Sequence, residues 1–161
     1  MNIKDVMSCF STGVTVVTTH DGGEDWGMTC SSFNTVSLEP AMVLWSIRTS
    51  SLSHPAFVRS GKYMVNVLAA HQKELAIRFA QGAQAERFAG LELVRGVSQC
   101  PRLPEALAWF DCTVRQVVKA GDHDILIGDV KDFGMHTGHP LVYAQRSFGV
   151  MVPLEAEPQQ G

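Results

Sequence analysis

The sequence predicts a mainly β fold, an antiparallel barrel of seven or more strands with a few short helices. Runs of β-branched and aromatic residues recur at short spacing along the chain and are separated by tight Gly- and Asp-containing turns. Helical periodicity is confined to short stretches. The strand–helix alternation with long crossovers that a parallel sheet requires is missing, as are a Gly-x-Gly-x-x-Gly turn after a strand and a Walker loop. Closing into a barrel lets many antiparallel strands pair without leaving open edges.

The elements follow in order. Ile3, Val6, Met7 and Phe10 fall at i, i+3, i+4 and i+7, an amphipathic helix over the first ten residues with Asn2 as cap and Gly13 as stop. Residues 14–19 are a β-branched run, the Asp21-Gly22 pair signals a hairpin, and residues 26–33 form the return strand. Residues 41–47 make a third strand, apolar on both faces, and 63–68 a fourth, with a short helix over 52–60 that Gly61 ends. Residues 72–80 are helical, Leu75 and Phe79 on one side and Glu74 with Arg78 spaced for an i, i+4 ion pair; residues 82–90 are less regular. Trp109, Asp111, Thr113 and Arg115 alternate with Ala108, Phe110, Cys112 and Val114, which predicts a long half-buried strand over 108–118. Residues 119–123 turn the chain into another strand over 124–133, and 141–143 with 147–150 make a last short pair. We expect one domain over 1–152 and a frayed tail over 153–161.

Composition excludes several functions. Thirteen basic against sixteen acidic residues give a net charge of −3, and no window gathers the Lys/Arg cluster that a nucleic-acid backbone requires. Cys9, Cys30, Cys100 and Cys112 form no C-x-x-C pair, which speaks against a zinc site or a dithiol couple and for reduced thiols. The first residues carry no signal-peptide pattern and no window approaches the ~18 uninterrupted apolar residues of a membrane span. A cytoplasmic protein with no membrane partner is expected. Charged residues are only 18% of the chain, which favours some surface being covered in an oligomer.

The densest chemical signal is the run from Gly27 to Pro40. Thr29, Cys30, Ser31 and Ser32 replace the Val, Ile and aromatics that normally fill a strand's faces, leaving a shallow wall of short hydrogen-bonding groups where a flat molecule can lie. The same run also fits an edge strand facing water. Trp45 and Phe33 offer apolar surface beside that wall, or fill the core. Ser50, Ser51 and Ser53 follow a strand and open a short helix, where hydroxyls and unpaired N–H groups hold a phosphate or simply cap the helix. Gly121-Asp122-His123 places an imidazole between Asp122 and Asp124, which favour its protonated form, although a lone turn histidine is more often exposed and idle. The remaining histidines form no metal constellation: His136 and His139 are three apart with no third ligand nearby in sequence. Nothing suggests a glycosidase carboxylate pair or a nucleophile elbow.

Taken in order, Phe10-Ser11-Thr12-Gly13-Val14-Thr15-Val16-Val17-Thr18, the Gly27 to Pro40 run, Leu44-Trp45-Ser46-Ile47, Ser50-Ser51-Leu52-Ser53-His54-Pro55, Tyr63-Met64-Val65-Asn66-Val67-Leu68, Phe88-Ala89-Gly90, Ala106-Leu107-Ala108-Trp109-Phe110-Asp111-Cys112, Gly121-Asp122-His123-Asp124 and Pro140-Leu141-Val142-Tyr143 form a series. It resembles the small flavin reductases that supply reduced flavin to partner oxygenases, and it covers nearly the whole chain.

The resemblance implies an FMN-binding split β-barrel that forms a homodimer, with FMN or FAD near the subunit interface and NADH or NADPH as reductant. Hydride would pass from nicotinamide C4 to flavin N5, and reduced flavin to a separate monooxygenase, for example one acting on an aromatic compound. It implies flavin-binding roles for Thr29, Cys30, Ser31, Ser32, Trp45, Ser50, Ser51, Ser53, Asn66 and Phe79, the serine turn meeting the phosphate or ribityl chain. His123 would border the nicotinamide and orient it. Leu52 and Cys30 depart from the family pattern and leave the choice between FMN and FAD open. A rival reading is a flavin-binding electron carrier of the same barrel without NAD(P)H turnover. A related pyridoxamine-phosphate oxidase would want an Arg/Lys phosphate pair, which the serine turn lacks.

Overall fold

The computed structural model describes residues 1–154. In chain order the elements are α1 (Ile3–Met7), β1 (Thr12–Gly13), β2 (Thr15–Asp21), β3 (Glu24–Cys30), β4 (Asn34–Leu38), β5 (Ala41–Arg48), α2 (His54–Ser60), β6 (Lys62–Val67), α3 (Lys73–Gln81), β7 (Val94–Arg95), β8 (Pro101–Arg102), β9 (Ala108–Ala120), β10 (His123–Met135), β11 (Leu141–Ala144) and β12 (Ser147–Val150). Short 3-10 turns precede α3 and follow it. Among the described residues no helix is long and apolar enough to cross a membrane.

Seven strands form one antiparallel sheet in the order β3-β2-β6-β9-β10-β5-β4. Laid flat, seven strands would hold their outer edges about 29 Å apart. Yet β3 and β4 are consecutive in the chain and joined only by residues 31–33, a link that reaches at most about 14 Å. The sheet therefore curls until its two edges approach without pairing. The result is a split barrel.

Two cores form on the two faces of this curled sheet. Val17, Trp45, Ile47, Phe57, Tyr63, Val65 and Leu126 fill one; Val16, Leu68, Ala76, Phe79, Leu103 and Leu141 fill the other, beneath α3 and the β11–β12 hairpin. Successive residues of a strand point to opposite faces, so β2 feeds both cores and is buried from Thr15 through Thr19. Gly27 on β3 marks the closest approach of α3, since a Cβ there would lie 2.8 Å from the Phe79 ring.

The predicted elements are present with shifted ends. Asn2 caps α1, its side chain accepting from Lys4 and Asp5 N–H groups while the Asp5 carboxylate accepts from Asn2 N–H, but the helix stops at Met7 and its apolar face is exposed. The β2–β3 turn uses Gly22 and Gly23, both at positive φ (60° and 81°), in place of Asp21 and Gly22. The Gly27 to Pro40 run is two strands, because the chain leaves the sheet over residues 31–33 to cross the split. Strand β5 alternates, with Val43, Trp45 and Ile47 fully buried and the residues between them partly exposed. Arg78 does not pair with Glu74; its guanidinium donates to the Glu86 and Ala89 carbonyls and fastens the segment after α3. In β9 the alternation breaks where neighbours Asp111 and Cys112 are both buried: Asp111 accepts from Ser98 N–H on the loop covering one face, and Cys112 faces the barrel interior. Of the tail expected over 153–161, residues from 155 on lie outside the described residues.

Candidate functional site

The split is where the chemistry collects. As an edge strand, β3 turns one row of main-chain N–H and C=O groups toward the gap. Met28 and Cys30 face the barrel interior, and Thr29 faces α3, donating to the Ala76 carbonyl at 2.6 Å. Ser53 reaches across to Met28 Sδ at 3.6 Å. Further along, the Ser32 hydroxyl both accepts from Ser46 N–H (2.9 Å) and donates to Ser46 O (3.1 Å), standing in for the strand partner that β5 lacks there. Residues 28–32 thus run antiparallel beside residues 46–53 without pairing as a sheet. Ser31 and Ser50 are exposed and Ser51 half-buried, so hydroxyls line both banks.

Cys30 is held from within. Its Sγ lies 3.2 Å from Thr15 Oγ1, which also donates to the Cys30 carbonyl. Burial pushes the thiol above its ordinary range, so it stays neutral and is no nucleophile.

Two turns end β5 and begin β10. Ser51 Oγ lies 3.0 Å from Ser53 Oγ, and Ser53, the residue before α2, makes no side-chain cap bond to the helix. The cap reading of the three serines therefore lacks the bond that defines it. His123 pairs across the sheet with Arg48, the last residue of β5 before the serine turn. Its Nδ1 lies 2.7 Å from Asp122 Oδ1, and the ring is 36% exposed. The bond and charge of His123 hold the Asp122 carboxyl below its usual range.

Three predicted residues belong to the cores. Trp45 is wholly buried between Phe57 (4.7 Å between ring centroids) and Tyr63 (5.9 Å), leaving no face for a ligand. Asn66, also fully buried, donates to Val16 O and accepts from Leu103 N–H, tying β6 to β2 and to the segment after β8. Phe79 is buried under Gly27 and packs edge-on against Phe88. Strand and helix periodicity put these three inward, and a motif alone does not say which face a residue takes.

The structure adds residues that the sequence did not single out. An open cavity of about 150 Å³ beside Thr29, Cys30 and Ser31 is lined on its other side by Tyr143 and Phe148 of the β11–β12 hairpin. One of about 290 Å³ joins Ser51, Leu52 and Ser53 to Trp26, Gln84 and Arg87. Arg87 donates to the Gly27 and Gly82 carbonyls and so spans from β3 to the end of α3. It comes from a stretch with no periodicity, so only the fold reveals it. A larger cavity of about 670 Å³ lies elsewhere, bordered by His71, Glu105, His136 and His139. It contains none of the candidate residues. Although it brings His71 beside the His136/His139 pair, among the described residues no three His, Cys, Asp or Glu side chains are placed to hold a metal ion.

The chain has clear relatives among known proteins. Residues 7–151 match the model of the flavin reductase like domain. The reductase component of a flavin-dependent trigonelline monooxygenase from Acinetobacter baylyi is 44% identical over 132 residues, 81% of this chain and 42% of that one. An NADH-dependent FMN reductase from Agrobacterium fabrum is 37% identical over 148 residues, 92% of this chain and 84% of that one. The chain spans under half the length of some of these relatives, 47% for a probable flavin reductase of Rhizobium meliloti. Among solved structures, the NADH:FAD oxidoreductase of Streptomyces globisporus with NAD and FAD fragments superposes with a TM-score of 0.89 at 30% identity, covering 96% of this chain and 93% of that one. The nitrilotriacetate monooxygenase component B homologue from Mycobacterium thermoresistibile gives 0.89 at 31% identity, covering 98% and 89%. A split barrel whose gap is lined with hydroxyls, matched along nearly its whole length, belongs to the flavin reductase like family.

Proposed function

We propose that this protein is an NAD(P)H:flavin oxidoreductase that delivers reduced flavin to a partner monooxygenase. The observation that carries the reading is the split itself, where the free edge of β3 with Ser31 and Ser32 lies across from the serine turn and His123 begins the strand beside β5. A flavin held here would supply N5 as the acceptor of a hydride from the nicotinamide.

The residues present fit FMN or FAD. The edge of β3 with Ser31 and Ser32 offers neutral donors and acceptors for the polar edge of a flat ring, and Cys30 adds no competing charge because burial keeps its thiol protonated. Tyr143 and Phe148 offer the apolar cover such a ring requires. Ser50, Ser51 and Ser53 would meet the ribityl chain or phosphate through hydroxyls, which suits a ligand that must also leave. His123 orients the reductant and moves no proton, since hydride transfer requires none from it. Trp45, Asn66 and Phe79 support this wall from behind.

The names of the relatives above favour a monooxygenase as the recipient, and the free thiols Cys9, Cys30, Cys100 and Cys112 suit a reducing cytoplasm. The test is anaerobic oxidation of NADH and NADPH by the purified protein with FMN, FAD or riboflavin, preceded by an absorbance spectrum for retained flavin. Nucleotide consumption that depends on flavin is expected. If neither nucleotide is consumed at saturating FMN and FAD, the reading is wrong and the electron-carrier reading takes its place.

A further inference from the structure

The serine turn and the histidine turn are clasped together. Thr49 donates its N–H (3.1 Å) and its hydroxyl (3.3 Å) to the Asp122 carbonyl, and the register His123 to Arg48 and Asp124 to Ile47 carries β10 and β5 up to these turns. One further tie lies beneath them. His54, the first residue of α2, places Nε2 at 2.7 Å from Asp124 Oδ2, with the two side chains only 18% and 8% exposed. His54 directly follows the serine turn, and Asp124 directly follows His123 on the opposite face of β10.

Neither residue is explained by local stability. Acidic groups are favoured at a helix start, so α2 gains nothing from an imidazole at its first position. Among the described residues the buried Asp124 Oδ1 has no partner, so the carboxylate is only half satisfied. A buried, incompletely bonded carboxylate is destabilising relative to an apolar residue of similar size.

We infer that His54 and Asp124 are a positioning pair that fixes the turn of residues 49–53 relative to His123. This rests on the reductase reading, in which the serine turn would hold the flavin and His123 would orient the nicotinamide. The pair touches neither ligand. It acts through the two turns it joins.

The experiment compares His54→Phe, Asp124→Leu, their combination, and His54→Gln, whose amide still donates. Flavin dissociation constants, stopped-flow flavin reduction at saturating flavin and NADH, and Tm are measured for each. His54→Phe and Asp124→Leu are each expected to weaken flavin binding and slow saturated reduction by about tenfold, the scale of a small misplacement. The double variant should lose no more than either single, because both break one contact. His54→Gln should recover most of the loss, and Tm of the double variant should hold or rise, since it leaves no unpaired buried charge. Wild-type affinity and rate in the double variant, or a loss confined to Tm, would overturn the proposal. Should wild-type protein bind flavin yet consume no NADH, the reductase reading falls, while the series of flavin affinities still decides the pair.

Discussion

At the residue scale the hydroxyl row was legible because Thr29, Ser31 and Ser32 stand where a strand normally carries β-branched and aromatic residues, and these three with Ser50 and Ser51 all end at least partly exposed. The resemblance implies flavin contacts for Trp45, Asn66 and Phe79, yet all three are fully buried. Their inward direction depends on which face of β5, β6 and α3 meets the core, a tertiary fact. Ser51 gives a sharp test: in Ser51→Glu a carboxylate would meet an anionic phosphate or the ribityl chain, so flavin affinity should fall by about tenfold or more. Unfolding of the apo form should be little changed, and an unaltered flavin dissociation constant would show that the turn does not bind it. His123→Ala should cost about 1–3 kcal/mol in kcat/KM for NAD(P)H, with flavin affinity and Tm near wild type. Stopped-flow reduction across an NADH series measures it, and wild-type rate and half-saturation would remove His123 from the site.

At the scale of elements, length and type were readable where periodicity was strong, as in β9 and α3, and ends were lost where side chains replace strand pairing. The break between β3 and β4 is the clearest case: Ser32 bonds to the main chain of Ser46 in place of a ladder partner, and nothing in the composition of the run marks that exchange. The β2–β3 hairpin carries a second such feature at its tip. Asp25 takes both Arg95 nitrogens, at 2.6 and 2.7 Å, and stands 2.7 Å from His20 Nδ1, which fastens the hairpin to the β7–β8 pair. Burial alone would raise this carboxyl, but the bonds from Arg95 and His20 outweigh it and hold the group below its usual range. A carboxyl lowered in the folded state stabilises above its ordinary value near ~3.9 and loses that contribution as pH falls through the lowered one. Asp25→Asn is therefore expected to lower Tm at pH 7 by about 2 °C, a small effect because the pair is partly solvated. The gap should close progressively below about pH 4. A difference that stays constant down to pH 2 in thermal melts would show that the charge contributes nothing.

At the scale of the molecule, the antiparallel barrel followed from strand count and the missing crossovers, but the split did not, because it depends on which strands become edges. The same consideration bears on assembly. Helix α1 has only five residues, too few to persist alone in water, and it is fixed to the β11–β12 hairpin by the Arg146–Asp5 ion pair and the bond from Gln145 N–H to the Ser8 carbonyl. This anchoring turns Ile3, Met7 and Phe10 outward at 64%, 66% and 79% exposure, with Val150, Met151 and Val152 also exposed at the end of the hairpin. An apolar surface held in place by polar bonds at its back, and left in water, is unusual for a monomer. A second copy covering it would bury the surface symmetrically. Size exclusion with light scattering at micromolar concentration is expected to give about 35 kDa, twice the 17.6 kDa of the chain. The double substitution Ile3→Lys with Phe10→Lys should shift the protein toward the monomer mass, because two charges on each copy would then face their counterparts across the interface. A wild-type species at the mass of a single chain would refute the dimer, and a variant that remains dimeric would move the interface away from α1.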